Sequence, residues 1–348
     1  MRFLVKTQRE LENVAASRIE EEAGDVETEP RPHGYLGLVL VRGDVSKEDL
    51  ERIPEVERAI PIERECRADP DEIAEVAAEL ARDRISEDET FAVRTIRRGD
   101  HDFTSLDVNE RAGDAVRRAT GASVDLDDPD RLVWVEIISE TAYVSILPGE
   151  EEWKKLPPWK PEADPILAKT VLAQIPYLGD PKAAYSMGER LGRAVQGFEL
   201  KAYVVTPHEP VNAVELFHFL RGLRDGVRSR MEVQRESYGR EFRRTELLLY
   251  DLYQLVRLKR DALLIGTDPK GEPYTHVRED LGEELAERDE VVVLAGSRKG
   301  LPRGVLRACD YVLDLCPGVT FATEHVVPSV VTALVDAFLE ATRGGGDR

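Results

Sequence analysis

Three stretches near the C-terminus hold the residue types best suited to binding a small molecule: LLIGTDPKG (263–271), VVVLAGSRKGLP (291–302) and YVLDLCPGVTFATEHVVP (311–328). Each reads as an apolar strand running into a glycine-bearing turn. In an open parallel sheet, ligands bind beyond the carboxyl ends of the strands, and glycine there lets main chain approach a flat ligand closely. The backbone of Gly266 and Thr267, of Leu294, Ala295, Gly296, Gly300 and Leu301, and of Leu315, Cys316, Pro317 and Gly318, with Thr323, can therefore hold a flat heterocycle and its sugar. Taken singly, each junction is an ordinary strand end; the ordered set of three is the signal. Glu324 is the candidate catalytic residue, able to position a target amine or to take a proton. A Glu in the first turn of a helix also complements the helix dipole without any such role. Arg298 and Lys299 can meet a phosphate or simply solvate their turn. His325 reads as packed or solvated, and Cys316 as a small apolar residue with an inert thiol.

A second constellation lies in FAVRTIRRGDHDFTSLDVNERAGDAVRR (91–118). Here a strand exposing Arg94, Arg97 and Arg98 meets a helix start carrying Thr104 and Ser105. Positive charge beside the N–H groups of a helix N-terminus makes a place for phosphates; a solvated strand edge with ordinary caps reads equally well. A third is the stretch 221–260, which carries eleven basic against six acidic residues in a chain of net charge −20. It is either an RNA-tracking surface, with Tyr238 and Phe242 available for stacking, or a set of salt bridges to the chain's own acidic helices.

The elements that must position these groups follow from periodicity. At 348 residues, with 42% hydrophobic content, two or three domains are expected. Arg2–Lys6 reads as a strand, Glu10–Glu22 as an amphipathic helix, Tyr35–Arg42 as a strand, the Ser46-capped SKEDLERI as a helix and Ala59–Glu63 as a returning strand. Residues 1–65 thus form a small ferredoxin-like unit. Residues 66–148 add helix Asp69–Asp83, strand Phe91–Ile96, helix Ser105–Ala119 and strands Leu132–Ile138 and Ala142–Leu147. Five prolines between Pro148 and Pro165 mark 149–165 as a semi-rigid linker. Residues 166–348 alternate as an α/β sheet. Helical patterns cover Ile166–Ile175, Ala183–Val195, Val211–Leu223 and Leu247–Leu258. Strands cover Lys201–Thr206, Ala262–Ile265, Val291–Leu294 and Tyr311–Leu315, before a closing helix Val327–Leu339 and a frayed GGGDR tail. That helix is apolar around much of its circumference, which asks for a second copy in a two-fold dimer or a partner within its own domain, Leu247–Leu258.

Composition narrows the class further. No apolar run approaches the length of a membrane span, the N-terminus is not a signal peptide, and a cytoplasmic protein is expected. Three cysteines, Cys66, Cys309 and Cys316, lack metal-ligand spacing, so no metal is expected. The acidity, with abundant Glu, Asp and Arg, reads as a bias of proteins adapted to heat or salt; it counts only weakly against RNA, because what matters is where charge sits.

Residues 1–148 resemble the THUMP domain of RNA-modifying enzymes with its preceding ferredoxin-like unit. The resemblance rests on the strand with alternating Arg residues, the Ser-capped helix running to Gly113, and LDDPDRLVWVEIISETAYVSI (126–146). It implies RNA binding, most often of the acceptor end of tRNA. The second half has no Gly-rich turn with an Asn/Asp-Pro-Pro-aromatic loop, no Ser-Gly-Gly pyrophosphate loop, no His-x-Glu with Pro-Cys-x-x-Cys, and no Walker or GxGxxG motif. Over 201–342 it resembles the SPOUT methyltransferases. The second loop carries Gly296, Gly300, Leu301 and Pro302; the third carries Thr323 and Glu324 followed by VVPSVVTAL; the first carries Ile265-Gly266-Thr267. The resemblance implies an α/β fold with a trefoil knot, S-adenosylmethionine as cofactor, RNA methylation and a homodimer. A catalytically silent RNA-binding protein or assembly factor is the alternative, because no unmistakable catalytic residue stands out.

Overall fold

The first strand, β1 (Arg2–Lys6), buries Phe3, Leu4 and Val5 in succession, so both its faces are covered. Phe3 and Val5 face a helix layer, while Leu4 faces a second sheet. The structure is a computed structural model that describes residues 1–157 and 159–343; Pro158 of the expected linker and the 344–348 tail lie outside the described residues. The chain divides into two compact units, Met1–Pro158 and Trp159–Arg348.

In the first unit β1 is followed by α1 (Glu12–Ala23), β2 (Val26–Pro30), β3 (Leu38–Gly43), α2 (Lys47–Glu51) and β4 (Arg58–Pro61). The strands pair antiparallel in the order β2-β3-β1-β4, the ferredoxin-like arrangement. β2 has no counterpart in the periodicity because its sequence, VETEP, is that of a charged edge strand. The chain continues through β5 (Arg64–Arg67), α3 (Pro70–Arg82), β6 (Thr90–Arg98), α4 (Ser105–Thr120), β7 (Ser123–Val124), β8 (Arg131–Ile138) and β9 (Thr141–Pro148). These strands form a mixed sheet in the order β5-β9-β8-β6-β7. The two sheets meet face to face through Leu4, Leu40, Ile60, Leu132, Trp134 and Leu147, so residues 1–65 and 66–148 share one core. At the seam the buried Glu136 carboxylate accepts from Trp134 Nε1 at 3.0 Å and pairs with Lys6 at 2.5 Å and Arg98 at 2.6 Å. The start of the linker is docked on this unit: Glu151 pairs with Lys47 and Glu152 with Arg94.

In the second unit come α5 (Asp164–Lys169), β10 (Thr170–Gln174), α6 (Pro181–Gly197), β11 (Ala202–Val205), α7 (Ala213–Ser237), β12 (Glu246–Leu249), α8 (Leu252–Leu258), β13 (Leu263–Pro273), α9 (Tyr274–Glu287), β14 (Val291–Ala295), α10 (Arg303–Leu306), β15 (Tyr311–Asp314) and α11 (Val326–Arg343). The six strands are all parallel, in the order β12-β11-β10-β14-β13-β15. One apolar layer, with α6, α7, α9 and α11, covers one face, and a second with α8 and α10 covers the other. Two expected helices resolve differently. Ile166–Ile175 is a short helix followed by the central strand β10, and Leu247–Leu258 is edge strand β12 followed by α8. Strands buried on both faces lose the two-residue alternation and read as unbroken apolar runs.

The α6–α7 pair is packed backbone to backbone. A Cβ at Gly188 or Gly192 would fall 2.2 Å from the carbonyl oxygens of Phe219 or Leu223, and one at Gly222 or Gly226 within 2.0–2.2 Å of those of Tyr185 or Glu189. The closing helix α11 turns Val327, Val330, Val331, Leu334, Ala337 and Phe338 into its own core, chiefly against α9 rather than α8. By length and composition alone Thr323–Arg343 would suffice to cross a membrane. Here its outer positions are the exposed Thr332, Asp336 and Glu340.

Candidate functional site

Because all six strands run the same way, the loops after β13, β14 and β15 emerge on one edge. They enclose an open cleft of about 230 Å³. The first wall arises from an interruption in β13. Thr267 and Glu272 both pair with Leu313 of β15, so the residues between them loop outward and Asp268 and Pro269 face the cleft. The second wall is the turn closed by Gly300 N–H donating to Ser297 O at 2.8 Å, with Gly300 at φ +71°. A Cβ at Gly296 would meet the Gly300 main chain at 2.7 Å, so this glycine sets the tightness of the turn itself. The third wall starts with a Pro-Gly turn. Val319 N–H donates to Cys316 O at 2.9 Å, with Gly318 at φ +86°, the geometry of a type II turn with proline at its second position and glycine at its third. Asp314 braces this turn by accepting from Cys316 N–H at 3.1 Å.

Beneath the cleft, Gln174 ends β10 fully buried. Its Nε2 donates to Gly296 O and Thr323 O, both at 3.4 Å, and its Oε1 accepts from Tyr203 Oη at 3.0 Å. Gln174 thus holds the second and third loops in register. Reading 166–175 as helix hid it; a glutamine closing an apolar run at a strand end was the available signal.

Of the expected ligand-binding residues, Thr267, Gly296, Gly300, Leu315, Cys316 and Thr323 line the cleft, as does Arg298. Leu294, Ala295 and Leu301 are buried in the core beneath it. Gly266 lets α10 and the turn after it approach, since a Cβ there would lie 3.2 Å from Leu306 Cδ2 and 3.1 Å from Cys309 Sγ. Burial, then the Asp310 charge, pushes the Cys309 thiol up to about 12, so it stays protonated. Pro317 and Gly318 form the turn without lining the cleft, and Lys299 is exposed, 3.5 Å from Glu209. Glu324 is outside the lining and pairs with Arg190 at 3.0 Å. Residues the sequence did not single out, Asp268, Ser297, Leu313, Asp314, Phe321 and Val326, complete the walls.

Of the three arginines expected to meet phosphate, the first unit holds two, Arg94 and Arg98, against its own acids. Arg94 donates to both oxygens of Glu152, at 2.6 and 3.1 Å, and to Leu126 O. Arg98 pairs with Glu136, and Arg97 with the His101 ring at 3.1 Å. The Arg94 guanidinium beside Glu152 holds that carboxyl below its ordinary range. The cap of α4 is Thr104 in a reciprocal box with Asp107, while Ser105 is the first helical residue. In the basic stretch, Arg221, Arg224 and Arg228 surround Asp225, and Arg240 and Arg243 bind Glu199. Much of its charge is therefore spent internally.

Residues 164–345 match the family described as AF2226-like SPOUT RNA Methylase fused to THUMP, and residues 67–147 match the THUMP domain. An uncharacterized protein of Methanocaldococcus jannaschii, MJ0421, is 43% identical over 337 residues, covering 96% of this chain and 93% of its own. A tRNA (guanine(6)-N2)-methyltransferase of the same organism matches at 40% identity over 68 residues, 18% of each protein. Among solved structures, TrmN from Thermus thermophilus aligns over 89% of this chain and 92% of its own at 17% identity, with a TM-score of 0.35.

Proposed function

The chain belongs to the family of AF2226-like SPOUT RNA methylases fused to THUMP, and from that premise we propose that it is an S-adenosylmethionine-dependent RNA methyltransferase whose THUMP half holds the RNA, preferentially tRNA. The observation that carries this reading is the convergence of three strand-end loops on one cleft. Its lining fits the cofactor. Leu313, Leu315, Phe321 and Val326 offer apolar contact to adenine, and the 296–300 and 315–319 turns offer main-chain donors and acceptors to its edge. Asp314 suits the ribose hydroxyls. Bound there, the cofactor supplies an activated methyl group. The chain's own contribution is to fix its orientation and exclude water, the part of catalysis that positioning provides.

The tRNA preference draws on the THUMP domain and on the tRNA-modifying enzymes that share sequence with this chain. The knot and the homodimer rest on the family resemblance alone, since the outer face of α11 is polar. One observation favours the silent RNA-binding alternative: Glu324 is held by Arg190 outside the cleft. Calorimetry separates the two readings. S-adenosylhomocysteine should bind at micromolar concentration, and Gly296→Val, by distorting the 296–300 turn, should weaken it at least about tenfold. An absence of heat with wild type decides for the silent protein. Mass spectrometry of tRNA nucleosides from a strain lacking the gene then identifies the product.

A further inference from the structure

A second cleft, of about 240 Å³, lies on the other side of the 297–300 turn. It opens where β10 and β11 end, next to the strands that build the first, because β10 and β14 are neighbours in the sheet. Ser297, Arg298 and Gly300 line both. The walls peculiar to the second include the apolar Ile175, Leu178 and Val211, with His208 beside them and the Glu209–Lys299 ion pair also in the lining. Two polar atoms there are fully buried and have no hydrogen-bond partner among the described residues: His208 Nδ1 and Ser297 Oγ. A buried polar atom left unpaired is costly, so two beside one slot point to a ligand that pairs with them. At the rim, Arg298 is fixed over the Tyr177 ring at 4.2 Å and donates to its hydroxyl at 2.7 Å.

We propose that this second cleft receives the nucleobase to be methylated, with His208 and Ser297 reading its polar edge and Arg298 meeting the phosphate of the same nucleotide. The assignment rests on the methyltransferase reading above. A base has flat apolar faces and a polar rim, the chemistry these walls complement. Adjacency supplies the rest. Methyl donor and acceptor must touch, which they can do over the rim of the 297–300 turn that the two clefts share.

The test is a titration of AMP, GMP, CMP and UMP into the full chain saturated with S-adenosylhomocysteine, following histidine ring signals by NMR. The His208 signal is identified by its loss in His208→Gln. At least one monophosphate at millimolar concentration should shift that signal. Val211→Trp, which fills the slot, should weaken that monophosphate at least about tenfold while changing S-adenosylhomocysteine affinity less than about twofold. If S-adenosylhomocysteine binds and no monophosphate moves the His208 ring, the assignment is wrong while the methyltransferase reading stands. A matching loss of both affinities in Val211→Trp would make the two clefts one site and also refute it. If S-adenosylhomocysteine does not bind, both fall together. The wild-type titration decides by itself whether the ring is touched, so a misfolded variant leaves the test intact.

Discussion

The two units dispose of their strand ends in opposite ways. In the first, strands run both directions, so their ends are shared between two edges and the sheets are sealed against each other around the Glu136 network. In the second, six strands run one way, and every loop that follows a strand's carboxyl end emerges on the same edge. Helices cover both faces, which leaves that edge as the place where buried polar atoms can wait for a ligand. Strand direction thus separates a unit whose loops leave at two edges from one that gathers them around clefts on a single edge.

Three perturbations would sharpen or break this contrast. The largest is Gly222→Val. A side chain at that position meets the Tyr185 carbonyl, and neither backbone can yield without moving a whole helix. The expected cost exceeds about 4 kcal/mol, beyond the usual range of single substitutions. Calorimetry of the full chain should show the second unit's transition lost and the first's retained. A shift of both together would mean that the units do not unfold separately.

Glu136→Ala addresses the first unit. It strands Lys6, Arg98 and the Trp134 indole N–H around an empty place in the core, at a cost of about 3 kcal/mol. Denaturant melts should show it, with S-adenosylhomocysteine binding unaffected. A loss of under about 1 kcal/mol would mean that solvent enters the seam freely.

The third is a pH dependence to which Glu12 of the first unit contributes. Burial would raise the Glu12 carboxyl. The main-chain N–H groups of Gly37 and Glu10, with the Arg31 guanidinium, outweigh it and hold the group at about 2. A carboxyl lowered in the folded state contributes stability that is complete above its unfolded value, near 4.5, and is lost as pH falls toward 2. The first unit's midpoint should therefore fall through that window, and Glu12→Gln should flatten the fall. Equal slopes in both proteins would exclude Glu12 as the group responsible.

Periodicity disclosed most of the first unit, where β6 and β8 are bounded by clear turn signals and α3 and α4 present one apolar stripe each. It failed at β10 and β12, gave no helix at α9, and stopped at Leu223 a helix that runs to Ser237. Thr170–Gln174 is buried along its length, and a continuous apolar run of that kind serves helix and strand alike. The three loops of the cleft were legible because glycine and proline mark turns wherever they fall. Their supports were not. Gln174, His208 and Ser297 acquire meaning only when β14 inserts beside β10, a pairing between residues more than a hundred positions apart. The fate of Arg94 and Arg98 was equally hidden, since Glu152 and Glu136 are remote in sequence, and Glu136 comes near only through the register of β6 on β8.

The glycine seam between α6 and α7 bears on temperature. Apolar side chains brought out of water give an attraction that fades on cooling, because their hydration carries a large heat capacity. Where main chain lies directly on main chain, little apolar surface is buried at the line of contact, and what holds the helices is dispersion and Cα–H to carbonyl contact. That part of the interface should have a flatter free-energy curve than the apolar core that flanks it. It should keep its strength toward both ends of the thermal range, a property that no enlargement of the surrounding core could supply.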